Sequence, residues 1–299
     1  METTFVKDES TVRFYSWYAL GLLTLVYVFN YLDRTLIYIL LPLIKREMAF
    51  TDLQLAMLGS MSFVIFFTVL GIPFGRLADR VVRKNMIAVG LAVWSLFSGL
   101  TGFANGFWSI LICRVMVGVG EATLGPAALS LLSDYFPPRV RATVQAIYSS
   151  GIAVGAGLAF FLGGWLGQNY GWRVAFFALG FPGLILAALV YLLREEPRGR
   201  TEVATAKYTA SDWKILFKSV PLRYHYLGYG CFGLAANNLS FRGPTFVTRV
   251  YELDLKTIGT PLNMRYSMLL CPLACLIAAL SLWAGYRSAS QDPANPVIS

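Results

Sequence analysis

The long uninterrupted apolar runs constrain this chain more than any other feature. A helix that crosses the hydrocarbon of a bilayer needs roughly 20 mostly apolar residues. Eight stretches meet that demand: Ser16–Leu43, Leu53–Phe74, Asn85–Phe103, Phe107–Leu132, Val144–Leu166, Val174–Leu193, Tyr226–Val247 and Tyr266–Trp283. They are too long for strands and lack a period-two alternation, so helices rather than a β-barrel are predicted. Of the 299 residues 57% are hydrophobic and only 14% charged, with a mean hydropathy of +0.59, which a soluble domain does not normally carry. The expected class is an all-α, integral, multi-pass membrane protein whose main partner is the lipid bilayer.

The formal net charge of +9 would fit nucleic acid, but its distribution points elsewhere. The cations sit in short connections between apolar runs, where they fix topology. With the N-terminus placed in the cytoplasm, sixteen Lys and Arg fall on the inner side and six on the outer. This bias predicts both termini inside, and the cytoplasmic (inner) membrane if the source is bacterial. Lys7, Asp8 and Glu9 precede the first run, unlike a cleavable signal peptide. No nucleic-acid partner is expected.

Cofactor and enzyme chemistry find no support. Cys113 and Cys231 lie inside apolar runs, Cys271 and Cys275 are one helical turn apart, and the single histidine, His225, accompanies none at metal-ligand spacing. No nucleophile–base pair or phosphate-binding glycine loop appears.

Spacing divides the chain. A cytoplasmic tail (1–15) leads into a six-helix unit (16–193), and a polar cytoplasmic linker (194–225) follows. Two further helices occupy 226–286, ahead of a polar tail (287–299). Within the linker, Asp212 and Trp213 can open an interfacial amphipathic helix, with Ile215, Leu216 and Phe217 toward lipid.

An ionisable group at membrane depth costs at least about 2.5 kcal/mol on insertion scales, so each one there needs a reason. Asp33 and Arg34 interrupt the first run, Arg114 and Glu121 the fourth. Seven residues are about two helical turns, so Arg114 and Glu121 share a face. If helices one and four oppose each other, an acid and a base from each meet in one cavity. An arginine neighbour keeps a carboxylate ionised, and breaking the pair where water is scarce invites a proton. The arginines can equally hold an anionic substrate group, or the four charges can simply neutralise one another. Tyr31, Phe29 and Tyr148 are candidates to line a substrate cavity, although such aromatics more often pack. Arg242 reads as an interfacial residue and His225 receives no role.

Several strings resemble the major facilitator superfamily. Gly75-Arg76-Leu77-Ala78-Asp79-Arg80-Val81-Val82-Arg83-Lys84 is similar to its loop motif between helices two and three, with Val82 where a second glycine is usual. Arg114 in Cys113-Arg114-Val115-Met116-Val117-Gly118-Val119-Gly120 is similar to its fourth-helix motif. Gly151, Gly155 and Gly157 resemble its glycine-rich fifth helix, with Ala156 where proline is common. Within the superfamily, Asn30-Tyr31-Leu32-Asp33-Arg34, Gly118-Val119-Gly120-Glu121-Ala122 and Asp134-Tyr135-Phe136-Pro137-Pro138 resemble the Spinster-like branch. Gly171-Trp172-Arg173-Val174-Ala175-Phe176 and Arg194-Glu195-Glu196-Pro197-Arg198-Gly199 extend the likeness, which covers about residues 15–260.

The resemblance implies a major-facilitator-type bundle: a complete six-helix N-terminal half plus about two helices of a second. It implies a proton-coupled alternating-access carrier of a small organic anion or lysolipid, with Asp33, Arg34, Arg114 and Glu121 at the coupling site. Gly75, Asp79, Arg80, Arg83 and Lys84 would form the gating loop. A full carrier has two six-helix halves, and the likeness fades after about Leu262, so a truncated carrier is expected. Its uncovered face would favour association with a second copy or with a full-length carrier. The alternative is a transport-incompetent product or binding partner of such a carrier. Asp79 is further expected to cap helix three.

Overall fold

The computed structural model describes residues 14–198. The expected seventh and eighth helices, with Arg242, His225, Cys231, Cys271 and Cys275, lie outside the described residues, as do residues 1–13 and the linker beyond 198. Within them are six helices long and apolar enough to cross a membrane: α1 (Phe14–Met48), α2 (Leu53–Ala78), α3 (Arg83–Phe103), α4 (Phe107–Tyr135), α5 (Pro138–Tyr170) and α6 (Trp172–Tyr191). No strand occurs among the described residues.

The helices outrun the apolar runs that announce them. Lys45 and Arg46, read from the sequence as loop residues, form the last turn of α1, where cations offset the negative end of the helix dipole. Ala49, at φ 52°, then stops the helix. A capping box starts the next helix: Gln54 N donates to Thr51 Oγ1 (3.3 Å) and Thr51 N to Gln54 Oε1 (2.9 Å). α5 begins at Pro138, a first-turn position where the missing N–H costs nothing.

Several helices are locally irregular. α2 contains a π turn at Met57–Met61, and α5 another at Ala159–Gly163. α4 pauses at Ala122 and Thr123, immediately after Glu121, and resumes at Leu124. Such interruptions change which side chains share a face, and π turns in particular gather at functional sites.

Between lipid-exposed helices there is little hydrophobic drive, so close van der Waals approach must hold the bundle. α1 packs chiefly along α5, α3 between α4 and α6, and α2 against α4. Gly151 and Gly155 make the first of these contacts possible. A Cβ at Gly151 would come within 3.1 Å of Thr24 O, and one at Gly155 would run into Val28 O. Gly157 faces open space and has no such role. Leu20, Leu23, Leu91, Trp94, Leu131, Phe136 and Val190 fill the core at the junction of α1, α3, α4 and α6. The resulting frame carries one ionic cluster at mid-span and others at the helix ends.

Candidate functional site

The mid-span cluster is built by α1, α3 and α4. Arg34 reaches across to Glu121 and donates from Nε (3.1 Å) and Nη2 (2.7 Å) to the same oxygen, Oε2. Glu121 is fully buried, whereas the Arg34 side chain keeps 21% of its surface open. Asp33, the preceding residue, turns the other way and accepts a hydrogen bond from Ser98 Oγ on α3 (2.8 Å). Arg114 is buried, 5.9 Å from the ring centre of Phe176, within electrostatic range of both Asp33 and Glu121. The four ionisable residues read from the sequence thus come together, but as an Arg34–Glu121 ion pair beside a buried Asp33 and Arg114.

The cluster is incompletely hydrogen-bonded. Arg114 Nε and Nη2, Glu121 Oε1, Asn30 Nδ2 and the Tyr148 hydroxyl are buried without a hydrogen-bond partner. An unmade hydrogen bond in a low-dielectric interior is expensive, about 1–3 kcal/mol for each neutral group and more for an ion. Among the described residues, the buried charged side chains with an unbonded polar atom, Arg114 and Glu121, both belong to this cluster.

Aromatic rings frame the ion pair. The Arg34 guanidinium lies 5.0 Å from the Tyr31 ring centre and 4.8 Å from each of Phe63 and Phe67 on α2. Tyr31 meets Tyr27 edge-on at 5.2 Å, and Tyr27 stacks on Tyr148 at 4.3 Å. Of the three aromatic candidates, Tyr31 therefore touches the charged cluster and buried Tyr148 stands one ring further off. Phe29 packs against the apolar core.

The second cluster lies at the shared ends of α2, α3, α4 and α6. Arg83 is almost wholly buried and saturated with partners. Its Nε donates to Glu195 Oε1 (2.8 Å) and Nη2 to Glu196 O (2.9 Å). Nη1 donates to Ser130 O and Oγ (both 3.0 Å) and to Asp134. The first turn of α3 is capped by Glu195, not by Asp79 as expected: Arg83 N and Lys84 N donate to its two carboxylate oxygens at 3.2 and 3.1 Å. The reason is reach, because the chain leaving α6 lays a carboxylate against those amides. Arg198 performs the converse task, donating to the carbonyls of Ala78, Asp79 and Val81 at the end of α2. Opposite charges three residues apart thus cap opposite helix ends, each matching the local dipole. Lys84 Nζ ties α3 to Tyr191 O (3.1 Å). Arg80 and the Asp79 side chain are exposed, and a side chain at Gly75 would meet open space.

Sequence reading missed several of these participants. Ser98, Phe63 and Phe67 sit in apolar runs that contain nothing to single them out. Asp134 and Glu195 stand in strings that carry the family resemblance, yet their common partner Arg83 is 51 and 112 positions away, respectively.

Comparison with known proteins places this arrangement. The family model described as Major Facilitator Superfamily matches residues 23–295. The hexuronate transporter of Bacillus subtilis is 33% identical over 180 residues, 60% of this chain and 42% of that protein. Protein spinster homolog 1 of Xenopus laevis is 29% identical over 289 residues, 90% of this chain and 54% of the other. The crystal structure of a bacterial homolog to the human lysosomal transporter Spinster, inward-facing and unoccupied, superposes with a TM-score of 0.74 at 28% identity, covering 96% of this chain and 65% of that one. The chain spans about half the length of the curated relatives it matches. With six membrane-capable helices and a family match over most of its length, the chain belongs to the Major Facilitator Superfamily.

Proposed function

We propose that the chain works in secondary transport, coupling proton movement to the passage of a small organic anion or a lysolipid-like amphipath by alternating access. The observation that carries this reading is the buried, incompletely bonded cluster of Asp33, Arg34, Arg114 and Glu121. Two arginines at membrane depth suit an anion, and the partly open Arg34 is placed to meet it first. If an anion claims the Arg34 guanidinium, the Glu121 carboxylate loses its ion-pair partner while still enclosed. A proton then relieves the uncompensated buried charge. Arg114, Asn30, Asp33 with Ser98, Tyr27, Tyr31 and Tyr38 are the other polar and titratable groups around the pair. Release of the anion restores the Arg34–Glu121 pair and expels the proton.

A relative named a hexuronate transporter supports an organic-anion substrate. In this reading residues 16–193 act as one half of a carrier with both termini in the cytoplasm. The Arg83 network then lies at the cytoplasmic ends of the helices, and the Gly75–Lys84 loop acts as part of the gate.

Proteoliposomes containing the 299-residue chain test this, with an imposed pH gradient and a screen of hexuronates, aromatic carboxylates and lysolipids. Accumulation that follows the gradient and disappears in Glu121→Gln or Asp33→Asn is expected. Substrate flux that ignores the gradient would remove proton coupling, and silence across the screen would remove transport by this chain alone.

A further inference from the structure

Arg34 is held in two chemically distinct ways. Its edge is hydrogen-bonded, through Nε and Nη2, to Glu121. Its Cζ also lies within 5.0 Å of three aromatic ring centres, which attract the cation without using any N–H donor. Phe63 and Phe67 are one turn apart on α2 and lie nearly parallel, ring centres 5.4 Å apart and 19° from coplanar. Both present themselves equally to the guanidinium at 4.8 Å.

Two backbone features place them there. The π turn at Met57–Met61 ends immediately before Ser62 and resets the register of α2 at this point. The second is Gly118 on α4, where a Cβ would come within 3.1 Å of Phe63 O, so the absent side chain lets α2 approach. Gly118 lies one turn before Glu121 and on the same side of α4. The contact that seats Phe63 therefore adjoins the residue that binds the Arg34 edge.

We propose that Phe63 and Phe67 are positioning residues that keep the Arg34 guanidinium in place while its edge changes partner between Glu121 and a substrate anion. An arginine held only by its ion pair would swing free once that pair broke, and the next cycle would have to find it again. Rings beside it remain engaged whichever anion occupies its edge. They also lower the cost of keeping a cation at membrane depth. This proposal rests on the carrier reading for its purpose, but its physical content is the restraint on Arg34.

The restraint can be measured without transport. The purified full-length chain is treated with phenylglyoxal, which modifies arginine side chains, and modification of each arginine is followed by peptide mass spectrometry. In Phe67→Leu and in Phe63→Leu, Arg34 is expected to react about fivefold faster, the size of one lost cation–π contact. Phe67→Tyr, which keeps the ring, should return the wild-type rate. Arg114 is the internal control, being buried in the same cluster but outside the cage. An unchanged Arg34 rate in both leucine variants overturns the proposal. So does a parallel rise at Arg34 and Arg114, which would mean a generally loosened bundle. Wild-type flux decides the carrier reading separately, so failure of one is not failure of the other.

Discussion

Arg83 and Arg114 are both buried arginines in the same bundle, yet their surroundings are opposites. Every nitrogen of the Arg83 guanidinium has a partner, in Asp134, Glu195, Ser130 and the Glu196 carbonyl. Arg114 leaves Nε and Nη2 unbonded, and its neighbour Glu121 leaves Oε1 unbonded. A saturated guanidinium in a fixed fork can only lose by moving. An unsaturated one can gain a partner, whether substrate, proton-bearing group or neighbour. In the proposed reading, completeness of hydrogen bonding, more than burial, separates the charges that fasten helices from those that exchange partners.

The sharpest way to break this comparison is to remove a charge from each cluster. Arg83→Met should cost about 3–5 kcal/mol of stability, because Asp134 and Glu195 lose the buried guanidinium they share. Reversible unfolding of the detergent-solubilised chain would measure it. Arg83→Lys should recover little, since an ammonium cannot span Asp134, Glu195 and Ser130 together. Glu121→Gln should cost less, about 1–3 kcal/mol, because Gln Oε1 can still accept from Arg34, whose side chain stays partly open. Its effect should fall on gradient-driven uptake, reduced at least about tenfold, equivalent to roughly 1.4 kcal/mol. If Glu121→Gln unfolds the protein as readily as Arg83→Met, the mid-span cluster is a fastening like the other.

A smaller effect refines the picture at the helix ends. Glu195→Gln keeps an acceptor near the first amides of α3 but removes the charge facing them and Arg83. A loss of about 1 kcal/mol is expected, typical of a weakened cap and dipole contact. In a double-mutant cycle with Arg83→Met the two losses should not add, because the residues share a hydrogen bond. Additivity would mean that Glu195 acts on the α3 amides alone.

How much of this was legible in the sequence differs between the two clusters for a physical reason. Membrane spans announce themselves because a run of about twenty apolar residues matches the thickness of the hydrocarbon layer. The described helices contain nearly all of the corresponding runs. Their ends do not announce themselves, because hydropathy stops at the interface while the helix continues through it, as Lys45, Arg46, Arg139 and Arg141 illustrate. The mid-span ionisable residues stood out for the same energetic reason as the spans. Their neighbours did not: a serine or phenylalanine in an apolar run is commonplace, so Ser98, Phe63 and Phe67 became visible only through distance. The cap on α3 shows the converse limit. A local rule favoured Asp79, but the carboxylate that arrives is Glu195, which only the tertiary path of the chain could bring.

The smallest expected effect tests whether loose ends always signal exchange. The Tyr148 hydroxyl is buried without a partner, while its ring stacks on Tyr27 at 4.3 Å and 7° from parallel. Tyr148→Phe keeps the stack and deletes the unbonded group, so stability should rise by up to about 1 kcal/mol. If uptake is also unchanged, Tyr148 is a packing residue, and an unpaired neutral hydroxyl carries less meaning than an unpaired charge. If uptake falls while stability rises, the hydroxyl meets the substrate during transport. Tyr148 would then join Arg34 and Glu121 as part of the path, reached through the same aromatic chain of Tyr27 and Tyr31.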